Sequence, residues 1–277
     1  MIKFRKMKQT ILITGASSGL GKATAKLFQS KGWNVVATMR NPENETELNS
    51  LEHVLVTKLD VLDINTIHNA VAEGIRQFGQ IDVLVNNAGY GAYGPLEAFS
   101  TDQITRQFNT NVIGLLEVTR VVLPHFRMNH SGTIINISSI GGKMTFPLGA
   151  LYHGTKFAVE GISESLSFEV DQFGGKIKII EPGAIHTDFN SRSLDFSNNE
   201  RHEEYQPLIT KVMGAMQGFY GNASTGLQIA EVVYQAATDG TKQLRYTAGE
   251  DARMMVGLRQ QSADETFTRQ IEKQFGL

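Results

Sequence analysis

Short runs of β-branched and apolar residues alternate with longer helix-patterned segments along most of the 277 residues. This alternation restricts the fold more than any other feature. Residues 10–14, 34–38, 54–59, 81–85, 133–137 and 177–180 each read as a strand, with 243–248 as a last one. Helical periodicity fills 19–31, 64–78, 112–126, 152–173 and 227–237 between them. The strand runs are apolar on both faces, as parallel strands are when helices cover each side. Right-handed βαβ crossovers and a doubly wound, parallel α/β sheet follow. No break in composition marks a second domain, so residues 1–277 read as a single domain with a core large enough to stand without cross-links.

The stretch 188–225 departs from this pattern. It is polar and turn-rich, yet it carries Phe189, Leu194, Phe196, Tyr205, Met213, Met216, Phe219 and Tyr220. Open α/β sheets take ligands outside the carboxyl ends of their strands, and this insertion follows such a strand. It reads either as a helical lid over an apolar substrate or as ordinary packing of surface helices, and both readings require its apolar residues to be buried.

Composition excludes several classes of chemistry. The chain has no Cys, which removes disulfides, zinc–thiolate sites, iron–sulfur ligation and thiol nucleophiles. Its seven His lack metal-ligand spacing, so no metal is expected. His186, beside Thr187, reads as a surface or packing residue. With 26 Lys+Arg against 28 Asp+Glu, nothing in the net charge favours nucleic acid. No apolar run approaches the roughly 20 residues that span a bilayer, and the basic residues 1–8 precede no apolar signal core. A cytoplasmic protein acting on a small molecule is expected.

Between the first strand and the first helix stands Thr14-Gly15-Ala16-Ser17-Ser18-Gly19-Leu20-Gly21. Glycines there permit a tight turn and close approach of a pyrophosphate, which the unpaired N–H groups of the new helix hold. Two rival motifs overlap it. Gly15-Ala16-Ser17-Ser18-Gly19 has nucleophile-elbow spacing, but no preceding strands exist to build an oxyanion hole. The P-loop pattern fails because Ala23, not a hydroxyl residue, follows Lys22. After the third strand, Asp60 is placed to accept from an adenine amino group or to serve as a turn carboxylate. After the second strand, Met39-Arg40 stands where a cofactor with a free ribose 2′-hydroxyl wants a carboxylate. A guanidinium matches a phosphate in charge and fork geometry, which favours NADP(H) over NAD(H).

Tyr152 and Lys156 lie one helical turn apart on one face, and Ser139 follows the 133–137 strand. A phenol with its ordinary pKa of about 10 is a poor base at neutral pH; bringing it to about 7 takes roughly 4 kcal/mol of preferential phenolate stabilisation. A nearby ammonium and an oxidised nicotinamide supply it. Tyr152 then exchanges a proton with a carbinol or carbonyl oxygen that Ser139 also hydrogen-bonds.

Together with Asp60-Val61, Asn86-Asn87-Ala88-Gly89, Asn111, Tyr152-His153-Gly154-Thr155-Lys156 and Pro182-Gly183 followed by Thr187, these marks resemble the short-chain dehydrogenase/reductase family from about Gln9 to Asp188. The resemblance implies a Rossmann-type fold with Ser139, Tyr152 and Lys156 catalytic and Asn111 holding a water in a proton relay. It implies a cofactor held by Gly15, Ser17, Ser18, Gly19, Leu20, Gly21, Arg40, Asp60 and Val61, with Asn87 against the adenosine ribose. Asn87, Ala88 and Gly89 read equally as braces of the strand end. Pro182, Gly183, Ile185 and Thr187 would cover the nicotinamide, and Lys156 would also bind its ribose. Relatives imply a dimer or tetramer through helices near 111–127 and 152–172. His153 stands where smaller residues are commoner, with no mechanism attached. The runs 157–161 and 180–183 resemble the branch containing hydroxysteroid and retinol dehydrogenases. Tyr90, Tyr93, Phe146 and Leu148 read as pocket lining or as packing. The expected function is NADP(H)-dependent alcohol–carbonyl interconversion; the alternative is a non-catalytic NADP-binding sensor, which would have no need of Ser139, Tyr152 and Lys156.

Overall fold

The computed structural model describes residues 8–186, 193–219 and 223–277. Seven parallel strands form its main sheet, in the order β3(Val54–Lys58), β2(Asn34–Met39), β1(Thr10–Ile13), β4(Val83–Asn86), β6(Gly132–Ile137), β7(Gly175–Pro182) and β11(Arg245–Ala248). The order reverses between β1 and β4, which are paired through Ile11–Val83, Leu12–Leu84 and Ile13–Val85. That switch point opens a crevice at the carboxyl ends of the strands. Both faces of β1, β2 and β4 are buried, as their apolar sequences demand, whereas edge strand β3 is only half-buried.

Helices cover the two faces. On one, α1(Gly19–Ser30) packs with α7(Gly226–Thr238), burying Phe28, Trp33 and Val233 against Ile11, Ile13 and Val35. On the other, α2(Ile64–Phe78) and α4(Gly114–Met128) bury Ile67, Val71, Val122 and Phe126 against Leu12, Leu84 and Ile134, with Val170 of α5(Ala150–Val170) beside them. Local chemistry sets the ends. The Asp63 carboxylate accepts from Asn65 N at the start of α2, and Gly79 takes φ +86° at its close.

Three features differ from expectation. The helix expected at 112–126 is the last part of a longer rod: α3(Thr101–Phe108), opened by a Ser100–Gln103 capping box, runs through a π turn at Asn109–Ile113 into α4. Residues 250–275 form two further helices, α8(Glu250–Gln261) and α9(Asp264–Phe275), on a weak periodicity dominated by charged positions. The insertion is fastened by two short parallel ribbons, β5(Gly91–Tyr93) with β9(Leu194–Phe196) and β8(Ile185–His186) with β10(Ser224–Thr225). Its helix α6(Gln206–Phe219) buries Val212 in a third cluster with Met144, Met255, Phe267, Ile271 and Phe275. The expectation that its apolar residues would all be buried fails at Phe196 and Met213, which remain 36% and 39% exposed. Phe189 and Tyr220 lie outside the described residues.

Candidate active site

The glycine turn is shaped as the sequence requires. Gly15 and Gly19 take φ +68° and +53°, conformations open to glycine at no steric cost. Gly21 answers a different need: a Cβ there would overlap Gly15 O and lie 2.6 Å from Asn87 Nδ2. Ser18 occupies the N-cap of α1 in extended conformation, but its side chain makes no cap hydrogen bond, and the first turn holds no acidic residue. The N–H groups at this helix end therefore face the crevice with their partial positive charge unneutralised, the arrangement that holds a phosphate. Ser17 is exposed at the turn, while Leu20 and Ala16 point into the core.

Asn87 and Ala88 hold this turn from the next strand. The Asn87 side-chain amide donates to Thr14 O (2.9 Å) and Gly15 O (3.1 Å), and Thr14 Oγ1 accepts from both Asn87 N and Ala88 N at 3.0 Å. Asn86 makes a separate buried junction, donating to Thr119 Oγ1 and Asn136 Oδ1, each at 2.9 Å. Asn136 in turn donates to Ser163 Oγ at 2.8 Å, tying β4 and β6 to α5. The bracing of the strand ends thus falls to both asparagines. Thr14 was missed, although a hydroxyl directly before Gly15 was a readable signal.

Around the crevice, Arg40 is exposed at the end of β2 and makes no hydrogen bond or ion pair among the described residues. Asp60 Oδ1 accepts from Leu62 N at 3.0 Å, so one oxygen closes the turn after β3. Val61 packs against α4 so closely that a Cβ at Gly114 would lie 2.7 Å from its own. Beyond β7, Ala184 N donates to Asp251 Oδ2 at 2.8 Å, which fixes the Pro182–Gly183 turn to the start of α8. Asp251 had no signal in the sequence, being almost 70 residues from that turn. Ile185 is half-buried and His186 exposed, while Thr187 lies outside the described residues.

The Ser139, Tyr152 and Lys156 side chains enter from β6 and α5. Lys156 Nζ donates to Ile137 O at 2.8 Å and lies 5.7 Å from the centre of the Tyr152 ring. Burial pushes the lysine down from 10.5 to about 8, opposed by the Glu160 carboxylate one turn further along α5. The amine therefore remains mostly charged at neutral pH, close enough to the phenol to favour its ionised form. Ser139 Oγ accepts from Gly141 N at 3.0 Å, and it donates to no group among the described residues. The side chain of Asn111 is fully engaged: its Nδ2 donates to Tyr90 O (2.8 Å) and Thr155 Oγ1 (3.1 Å), and its Oδ1 accepts from Tyr90 N (3.0 Å). Gly89 leaves room for it, since a Cβ there would lie 3.0 Å from Asn111 Oδ1. Asn111 sits within the π turn, a bulge type that recurs at functional sites. Tyr93 stacks beside Tyr152 with ring centres 5.4 Å apart. Among the described residues no group of three potential metal ligands occurs, and no helix is long and apolar enough to cross a membrane.

Known proteins resemble this chain in sequence and in fold. The family model described as short chain dehydrogenase matches residues 9–198. An uncharacterised oxidoreductase of Schizosaccharomyces pombe is 47% identical over 86% of this chain and all of its own. The 3-ketodihydrosphingosine reductase of Bacteroides thetaiotaomicron is 40% identical over 71% of each chain. Among solved structures, a short-chain dehydrogenase from Streptomyces avermitilis superposes with a TM-score of 0.84 at 31% identity, covering 96% of both chains. The structure of ElxO with NADP bound gives 0.72 at 29% identity, covering 87% of this chain and 98% of that one. The chain therefore belongs to the short-chain dehydrogenase family of oxidoreductases.

Proposed function

We propose that this chain is an NADP(H)-dependent alcohol dehydrogenase or carbonyl reductase acting on an apolar substrate, with Ser139, Tyr152 and Lys156 as its catalytic groups. The observation that carries the reading is the buried Lys156 amine, held on Ile137 O at the carboxyl end of β6 and beside the Tyr152 ring. A dinucleotide fits the residues at the carboxyl ends of the strands: the uncapped start of α1 suits a pyrophosphate, Gly21 lets the turn close on Gly15 O, and Arg40, unpaired among the described residues, can meet a ribose 2′-phosphate. Asp60, Val61, Pro182, Gly183, Ile185 and Thr187 would line the rest of the cofactor. When bound, the nicotinamide supplies or accepts the hydride.

The side chains of this chain do the proton work. In reduction, the Tyr152 hydroxyl gives its proton to the carbonyl oxygen as negative charge develops there. Ser139, whose acceptor side is taken by Gly141 N, turns its own O–H toward that same oxygen and fixes it. The Lys156 ammonium stabilises the phenolate left behind. Lys156, with a water held at the Asn111 turn, then returns the proton. The Tyr93 ring beside Tyr152 suits a hydrophobic substrate body, in keeping with the lipid-derived ketone named for the Bacteroides relative, while Phe146 and Leu148 pack against the third apolar cluster.

A panel of ketones and aldehydes with NADPH oxidation as readout tests the proposal. The expected result is turnover by the wild type and its loss in Tyr152→Phe, with NADPH affinity unchanged. Turnover that survives Tyr152→Phe refutes the mechanism. Tight NADPH binding without turnover on any carbonyl identifies a sensor instead.

A further inference from the structure

The residue after the tyrosine is a deeply buried titratable group. His153 is 2% exposed. Its Nδ1 lies 3.1 Å from Gly141 O, which can only accept, so Nδ1 must carry the hydrogen. Its Nε2 lies 3.1 Å from Phe146 N, which can only donate, so Nε2 must present a lone pair. The two bonds together admit one form of the ring, the neutral Nδ1–H tautomer. Burial reinforces this, holding the imidazole down at about 4, well below its ordinary range.

The partners of this ring belong to the segment that carries Ser139. The same Gly141 residue whose carbonyl receives the Nδ1 hydrogen donates its N–H to Ser139 Oγ at 3.0 Å. A Cβ at Gly141 would lie 2.6 Å from Nδ1, and one at Gly149 would overlap Nε2, so two glycines form the slot for the imidazole. Tyr93 and Phe146 close it with ring centres 6.1 and 5.6 Å from the imidazole. Leu148, between these partners, holds φ +65°, a conformation that a branched side chain adopts only where its surroundings enforce it.

We propose that His153 is the positioning residue of the site: through Gly141 and Phe146 it holds the 139–149 segment against α5, so that the Ser139 hydroxyl and the Tyr152 phenol converge on one oxygen. This rests on the reading of Ser139 and Tyr152 as catalytic. A small residue at 153 would remove the hydrogen bonds that Gly141 O and Phe146 N make with the ring, and the segment would shift to find water. Displacements of about 1 Å in a catalytic group cost on the order of 100-fold in rate.

Two measurements test it. In the first, His153→Phe keeps the ring volume and loses both hydrogen bonds, whereas His153→Asn places an amide N–H near the position of Nδ1. The expected result is a kcat lowered about 10- to 100-fold in His153→Phe, substantial recovery in His153→Asn, and NADPH affinity within twofold of wild type in both. Unchanged kcat in His153→Phe, no recovery in His153→Asn, or a parallel loss of NADPH affinity overturns the proposal. The second needs no variant and no turnover: ¹⁵N spectra of the histidine-labelled wild-type protein should place His153 as neutral Nδ1–H at pH 6. An Nε2–H or charged ring overturns the proposal. If the wild type reduces no carbonyl, the enzymatic reading fails by itself, and the tautomer still decides whether the ring clamps this segment.

Discussion

Replacing Lys156 with methionine should make the apo protein more stable while removing its chemistry. The lysine is pushed from 10.5 to about 8 by burial, and at about 1.4 kcal/mol per pKa unit the folded state spends up to about 3 kcal/mol holding that ammonium at neutral pH. This is an upper bound, since the residue keeps part of its surface open to the crevice. Methionine has similar reach and no charge, but it abandons Ile137 O, a loss of about 1–2 kcal/mol. The net expectation is a gain of about 1–2 kcal/mol, or a rise in Tm of about 2–8 °C for a chain of this size. The pH dependence supplies a second check. A lysine whose folded pKa lies below its unfolded one binds fewer protons folded than unfolded, so wild-type stability rises as pH climbs from about 8 to 10.5. The variant lacks this term, and the other groups titrate alike in both proteins. The variant's lead at pH 7 should therefore close and become a deficit of about 1 kcal/mol by pH 10.5, where little but the lost bond to Ile137 O separates the two proteins. Urea melts of the two apo proteins at both pH values measure it. A variant less stable than wild type at pH 7, or a gap that ignores pH, refutes the claim that the amine is held against its own solvation.

The cofactor site offers two further perturbations. Gly21→Ala forces a methyl group into Gly15 O and Asn87 Nδ2; the turn must open, and fluorescence titration should register NADPH binding at least tenfold weaker, with Tm lowered by a few degrees by the overpacking. Arg40→Asp replaces an exposed, unpaired guanidinium with a carboxylate, and it should reverse a preference for NADPH over NADH; equal affinities in the wild type would dismiss the role of Arg40. In the core, Asn136→Ala takes one of two hydrogen-bond partners from Asn86 Nδ2 and one of two from Ser163 Oγ, which should lower unfolding free energy by about 2 kcal/mol, read as a lower urea midpoint with unchanged slope.

Much of this molecule was legible because its residue types have few other uses. Apolar β-branched runs between helical segments lead to a parallel sheet, and all seven of its strands lie where the periodicity puts them. A glycine that must be left-handed, such as Gly15, or that has no room for a Cβ, such as Gly21, marks the nucleotide turn in sequence because no other residue can replace it. A lysine one turn from a tyrosine is likewise a local pattern. The features that escaped are set by partners distant in sequence. The β5–β9 ribbon joins residues about a hundred positions apart through three-residue strands too short to carry a period. The helices at 250–275 are largely polar, with apolar residues in the minority.

The same distinction explains why the reactive groups were easier to find than their supports. A proton-transfer residue must be of a particular chemical type, whereas a support needs only a hydrogen bond at one point in space, and many side chains can supply it. Asp251, Thr14 and His153 are all of this second kind. Each satisfies a backbone group of a segment that touches the site: Ala184 N, the Asn87 and Ala88 N–H groups, and Gly141 O with Phe146 N. Those backbone groups belong to loops at the carboxyl ends of strands, where the ladder stops and its pairing must be replaced. The supports therefore gather where the chemistry does, because a sheet edge that exposes a ligand crevice also exposes unpaired peptide groups. Variation at such positions among related proteins should then follow the shape of each loop rather than the reaction, with a histidine at 153 tolerated only alongside glycine at 141 and 149.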